Sequence, residues 1–350
     1  MGNLIFIASI AVIFASTFYW GFRHLPGEEW QMIAAVPIVK NRFGQWQGLN
    51  LTYYGFFNAT AMAFACIILL LLMGSIQAPL IAVITVTATG LSVALLSAKI
   101  VARIVERKRH TFTVAGAVFV LIISLPWLIT IFNLGVGGRS DLYLPPRPML
   151  AAVAIAYTFG EALGRLACIS FGCCYGHSLE KLPALIRKRL GRFSFIFTGA
   201  TKKAIYAGKL HGVPVIPIQA VTSIVFTLAG FTGLMCFLRS RWAAAMIVPL
   251  VTTQVWRVLS EFLRADYRGD SLFTAYQVMA IIGLVYSLVT IPFLADAPLN
   301  SPSLSQALHL FSNGWLLISV EGVWVAVFLY LGRSSVTGST VSFHVLQDRI

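Results

Sequence analysis

The chain has 350 residues, of which 58% are hydrophobic and 11% charged, and its formal net charge is +14. A soluble domain carries about 25% charged residues, so this composition excludes an ordinary water-soluble enzyme. The basic excess lies in loops between apolar runs with no nucleic-acid motif beside it, so the expected partner is anionic lipid and not nucleic acid.

A bilayer span needs roughly 20 mostly apolar residues in a helix, because lipid leaves no partner for an open backbone N–H or C=O. Nine runs qualify, at about 4–20, 52–74, 79–98, 111–134, 149–172, 214–238, 243–263, 272–294 and 313–332. The first has no basic residue before it, and His24-Leu25-Pro26 lacks a small-residue cleavage pattern, so it reads as a retained helix. The expected fold is an all-α polytopic transmembrane bundle of about nine helices, with a small extramembrane head around 177–213. Within that head, 185–190 reads as an amphipathic surface segment and 193–197 as a short strand. The tail after Arg333 is short and polar and is expected to be poorly ordered.

Loop charge sets an orientation. One side collects 21–51, 99–110, 173–213, 264–271 and the C-terminus, with eight basic residues from Lys181 to Lys209 alone. The other side holds only Arg139, Arg147, Arg239 and Arg241. The positive-inside rule puts the rich side in the cytoplasm.

Chemistry is expected where polar residues enter apolar spans, since a charge at the bilayer centre costs about 2.5–3.5 kcal/mol on insertion scales. In the fifth span Glu161 and Arg165 are i,i+4 on one face. In the seventh, Gln254, Arg257, Glu261 and Arg264 form one stripe. Two intrahelical ion pairs anchoring helix ends would satisfy this spacing. So would a polar pocket with two arginines facing across the bundle, whose planar forks match phosphate oxygens. Of the five cysteines, Cys66 and Cys236 lie in apolar runs as packing residues. No paired CxxC spacing occurs, so a zinc ribbon is not expected, and no metal site and no cofactor is assigned. Cys168 and Cys173 are spaced to bridge if the helix ends between them.

The run from Gly164-Arg165 through Cys168 to Gly172-Cys173-Cys174-Tyr175-Gly176 resembles the signature of the prolipoprotein diacylglyceryl transferases, in a divergent branch ending Gly-Cys-Cys-Tyr-Gly. Tyr54-Gly55, Pro217-Ile218-Gln219 and Arg257…Glu261-Phe262-Leu263-Arg264-Ala265-Asp266 resemble further family landmarks in the same order. The likeness covers a core of 51–294. Residues 1–50, an extra helix and loop, and 295–350, an extra helix and tail, lie outside it.

The resemblance implies a transferase that takes phosphatidylglycerol, breaks the bond between the diacylglyceryl carbon and the phosphate oxygen, and alkylates an acceptor such as a lipoprotein cysteine thiol. Arg165 and Arg257 would hold the phosphate, with Glu261 fixing an arginine. Tyr54, Gln219, Cys168, Cys173, Gly176 and Arg264 would form the substrate site. It also implies a bacterial cytoplasmic (inner) membrane location with the active site facing outward. That orientation is opposite to the charge rule, and the expectation follows the resemblance.

Several family positions differ. Cys168 replaces an asparagine, Cys173 an acidic residue, Ala115 and Ile216 histidines, and Thr253 a tyrosine. The usual base for an acceptor thiol is thus missing; His177, directly after the signature, and His110 and His211 are substitutes in the right loops, and each also reads as a plain loop histidine. Two other classes stand beside the transferase: a lipid-binding scaffold without turnover, and a transporter or flippase. The absence of an evident internal repeat disfavours the last.

Overall fold

The computed structural model describes residues 2–105, 113–136, 140–181, 187–188, 191–266, 273–294, 301–312 and 314–350. Nine helices among them are long and apolar enough to cross a membrane, the architecture of a polytopic membrane protein. They are α1 (Gly2–His24), α2 (Tyr53–Ser75), α3 (Leu80–Val105), α4 (Val114–Gly135), α5 (Pro146–Phe171), α6 (Ile218–Leu238), α7 (Trp242–Glu261), α8 (Ala275–Thr290) and α9 (Gly314–Leu331). Leu4, Ile81, Leu96, Ile104, Ile131, Leu228 and Val285 are each more than half exposed. Such a surface is stable against lipid and not against water.

Helix α5 is the central element, packed on α2, α6 and α7. Its buried face carries Ala151, Ala152, Ile155, Ala162 and Ala167, and small residues let neighbouring backbones approach. A Cβ at Gly160 would sit 3.0 Å from the Ala65 Cβ of α2. Helix α1 joins the same core: the Phe14 ring meets Phe159 of α5 and Phe64 of α2 edge-on, with centroids 5.4 and 5.3 Å apart. Helix α9 lies at the edge and buries only Leu316. It is tied to α2 by the Trp324 indole N–H donating to Thr60 Oγ1 at 3.1 Å.

Caps define several helix starts. Thr52 accepts from the Gly55 N–H at the head of α2, and Thr274 and Gln277 form a reciprocal capping box on α8. Pro126 in α4 and Pro249 in α7 each remove one intrahelical hydrogen bond.

The head is larger than expected, and two expectations fail. Residues 21–51 are not a plain loop: β1 (Met32–Lys40) and β2 (Trp46–Thr52) form an antiparallel hairpin. The polar tail as far as Val341 is not loose either. Strand β5 (Arg333–Val341) pairs antiparallel with β2, giving the order β1-β2-β5. The pairing is possible because α2 starts where α9 ends. Thr52 donates both its backbone N–H and its hydroxyl to the Gly332 carbonyl, at 2.9 and 3.0 Å. The expected strand near 193–197 is present as β3 (Phe195–Ile196), paired with β4 (Pro214–Val215). Most of 185–190 and His110 lie outside the described residues.

The signature loop and the end of α7 share one membrane face. Gly176 and Arg264 form an antiparallel bridge, the His177 N–H donates to Leu263 O at 3.2 Å, and the Ala265 N–H donates to Tyr175 O at 3.0 Å. A Cβ on Gly176 would lie 2.6 Å from the Ile216 carbonyl oxygen, so this backbone crossing needs glycine.

Candidate functional site

A pocket of about 440 Å³, counting its open mouth, lies at the head-side ends of α5, α6, α7 and α8. Arg165, Gln219, Arg257, Glu261, Arg264 and Cys174 are among its lining residues. Five of the residues expected from sequence therefore meet around one cavity. The helix geometry explains why: Arg165 is near the C-terminus of α5, Arg257 and Glu261 are in the last turns of α7, and Gln219 is at the N-terminus of α6.

The guanidiniums differ in their partners. Arg165 pairs with Glu161 one turn back on α5. Arg257 Nη2 donates to the Tyr157 hydroxyl of α5 at 2.7 Å. Arg264 is gripped by Asp266 through two donors, at 2.8 and 2.7 Å, with Glu261 3.9 Å away. Arg165 and Arg264 are thus each partly neutralised by carboxylates, whereas Arg257 is held by a phenol. The Nε atoms of Arg165 and Arg257 and the Oε1 of Gln219 are buried without a hydrogen-bond partner. An orphaned buried donor costs about 1–3 kcal/mol, and both arginines that carry one line this pocket. Gln219 is held by its Nε2 donating to Cys173 O at 2.7 Å. Trp256 is fixed by donating to Thr222 at 2.9 Å.

Tyr54, Cys168 and Cys173 do not line this pocket; they form a group beside it. Tyr54 packs on Phe171 with ring centroids 5.6 Å apart. The Sγ atoms of Cys168, Cys173 and Cys174 all lie within 4.8 Å of one another, and no disulfide occurs among the described residues. The turn that gathers them begins at Gly172 (φ 72), the left-handed C-cap of α5, and includes Cys174 at φ 58, a strained value for a non-glycine residue. The Cys173 thiol is held well above its ordinary range, first by its contact with Cys168, then by Cys174 and burial. His177 also lies outside the pocket lining, and its backbone serves the bridge to Leu263 and Ile216.

Three contributors escape the sequence reading. Tyr157 falls one turn before Glu161 and two before Arg165, so its place on their face was legible from spacing. Cys174, not Cys173, is the cysteine in the pocket wall. Lys202 has no motif around it, yet it is fully buried and donates to Leu25 O at 2.9 Å and Ser170 O at 2.6 Å. It thereby satisfies terminal carbonyls of α1 and α5 and pins the head to both.

A second, apolar pocket of about 600 Å³, counting its open side, lies deeper between α4, α5, α7 and α8. Leu121, Leu125, Ala154, Met246 and Leu250 are in its walls. Tyr157 lines it too, so the Tyr157–Arg257 hydrogen bond joins the apolar pocket to the charged one.

No protein-family model matches the chain, and no curated protein matches it.

Proposed function

We propose that the charged pocket binds the phosphate of a phospholipid, in the first instance phosphatidylglycerol, and that the protein transfers the diacylglyceryl group to an acceptor. The observation that carries this reading is the pairing of two cavities of opposite character. Arg165 and Arg257, each with an unpartnered buried Nε–H, line the charged cavity, and Tyr157, bonded to Arg257, lines the apolar one. A glycerophospholipid has the same division, with its phosphate at one end of a glycerol and acyl chains at the other. The signature and landmark resemblance supports the same class.

On this reading the C–O bond between the glycerol carbon and phosphate breaks, and the bonding pair leaves with the phosphate. The two guanidiniums stabilise that charge as it develops. A carbon–sulfur bond forms to the acceptor, with a lipoprotein cysteine thiol as the favoured class, and the thiol proton is lost. The location would be a bacterial cytoplasmic membrane with the head outside, where the basic head also gathers anionic lipid at the pocket mouth.

Lipid binding without turnover is the second reading, favoured by the lack of any histidine in the described pocket lining. Release of soluble glycerol phosphate from phosphatidylglycerol by purified protein, given a thiol peptide, separates the two. Bound lipid with no release selects the binding protein.

A further inference from the structure

We propose that Cys168, Cys173 and Cys174 form a three-thiolate site for a soft monovalent metal ion, with Cu(I) as the ion this donor set favours. The inference is independent of the transferase reading. Three thiolates around one ion, each about 2.3 Å from it, lie roughly 3.8–4.0 Å apart. The three Sγ atoms are already within 4.8 Å of one another, so closure asks each for a small side-chain shift. A disulfide needs about 2.05 Å and leaves the third thiol unused.

The ligand count selects the ion. Among the described residues the cluster is sulfur only, with no histidine or carboxylate joining it. Soft thiolates suit Cu(I), zinc and iron–sulfur clusters alike, but structural zinc takes four protein ligands, so a three-thiolate set favours Cu(I). The backbone is pre-set for it: the left-handed Gly172 reverses the chain after α5, and the strained Cys174 swings its thiol back to the other two. Gln219 Nε2 holds the Cys173 carbonyl at 2.7 Å. Arg165 and Arg264 line the same pocket as Cys174 and offset the negative charge of a thiolate cluster. Binding exchanges up to three thiol protons, released to solvent, for three metal–sulfur bonds. The ion arrives already reduced, so no electron moves.

The test uses the full chain in detergent under reducing conditions, titrated with Cu(I) against bicinchoninate. One equivalent should bind per chain, with only sulfur neighbours at about 2.3 Å by X-ray absorption. It should be lost in Cys168→Ser, Cys173→Ser and Cys174→Ser and kept in Cys66→Ser and Cys236→Ser. Because a serine variant can fail to fold, wild-type protein is also alkylated with iodoacetamide with and without Cu(I). Mass spectrometry should show protection confined to the three clustered cysteines. Protection of Cys66 or Cys236 to the same degree, undiminished binding in folded Cys174→Ser, or Zn(II) displacing Cu(I) through a fourth ligand would overturn the assignment.

Discussion

Arg257 on α7 and Tyr157 on α5 are joined by a 2.7 Å hydrogen bond from guanidinium to phenol. The bond crosses the bundle at the boundary between the charged pocket and the apolar one. It fixes the arginine fork through a neutral group, which orients the cation without cancelling its charge.

Tyr157→Phe keeps the ring and removes that acceptor. A hydrogen bond to a charged group is worth about 1.5–3 kcal/mol, so phosphatidylglycerol turnover should fall roughly 10- to 100-fold. Thermal stability should change little, because Arg257 can turn toward the open pocket. Turnover and melting temperature measured on the same preparations check this; an unchanged rate would remove Tyr157 from the site.

Ala154→Phe places a ring in the wall of the apolar pocket. If acyl chains occupy that pocket, the variant should lose activity on long-chain phosphatidylglycerol and keep most of it on a dioctanoyl analogue. Rates on the two lipids compared side by side decide the point. Equal losses on both would place the chains elsewhere.

Lys202 gives the head a pH signature. Burial pushes its ammonium down from 10.5 to about 7, against a smaller opposing pull from Glu28. A neutral amine still has two N–H donors for its two carbonyl partners. Between about pH 7 and 10.5 the unfolded chain keeps a proton that the folded protein has released, so this group makes stability rise with pH across that window. Below about pH 7 both states hold the proton and the slope from this group vanishes. One group contributes at most about 1.4 kcal/mol per pH unit. Lys202→Met should be less stable, since two buried carbonyls lose their donor, and its stability should rise less steeply across the same window. Parallel slopes in thermal unfolding would show that Lys202 does not titrate there.

Much of the site is legible in the order of the residues. The nine apolar runs predicted the nine spans found among the described residues, and the i,i+4 spacing of Glu161 and Arg165 predicted the pair that forms. What escaped was long-range. Nothing near Lys202 marks it as the residue that enters the core while its neighbour Lys203 does not. Strand β1 hides in Met32–Lys40, an apolar stretch interrupted by Pro37 and lacking clear alternation. Strand β5 appears only because β2, far earlier in the chain, offers an open edge beside the end of α9. Its own cues, Val336, Thr337, Thr340 and Val341, are weak without that edge. The pocket membership of Cys174 rather than Cys173 follows from the left-handed turn, which spacing along the chain does not specify.

Cysteine chemistry and the phosphate clamp predict different variants to be silent. Cys173→Ser keeps size and removes the thiol, and Cys173 does not line the pocket. The variant should turn over phospholipid within a few-fold of wild type, in an assay at matched protein abundance.

The proposed clamp sets two arginine forks on a phospholipid phosphate, and glycerol phosphate released from phosphatidylglycerol by wild type and Arg257→Lys tests it. Lysine keeps the charge and loses the planar fork, and losing one such donor is worth roughly 10²–10³ in rate. The wild type should release glycerol phosphate, and the variant should show a drop of that size with bound lipid retained. Full activity in Arg257→Lys beside an inactive but folded Cys173→Ser would rule out the clamp and move the chemistry to the cysteines.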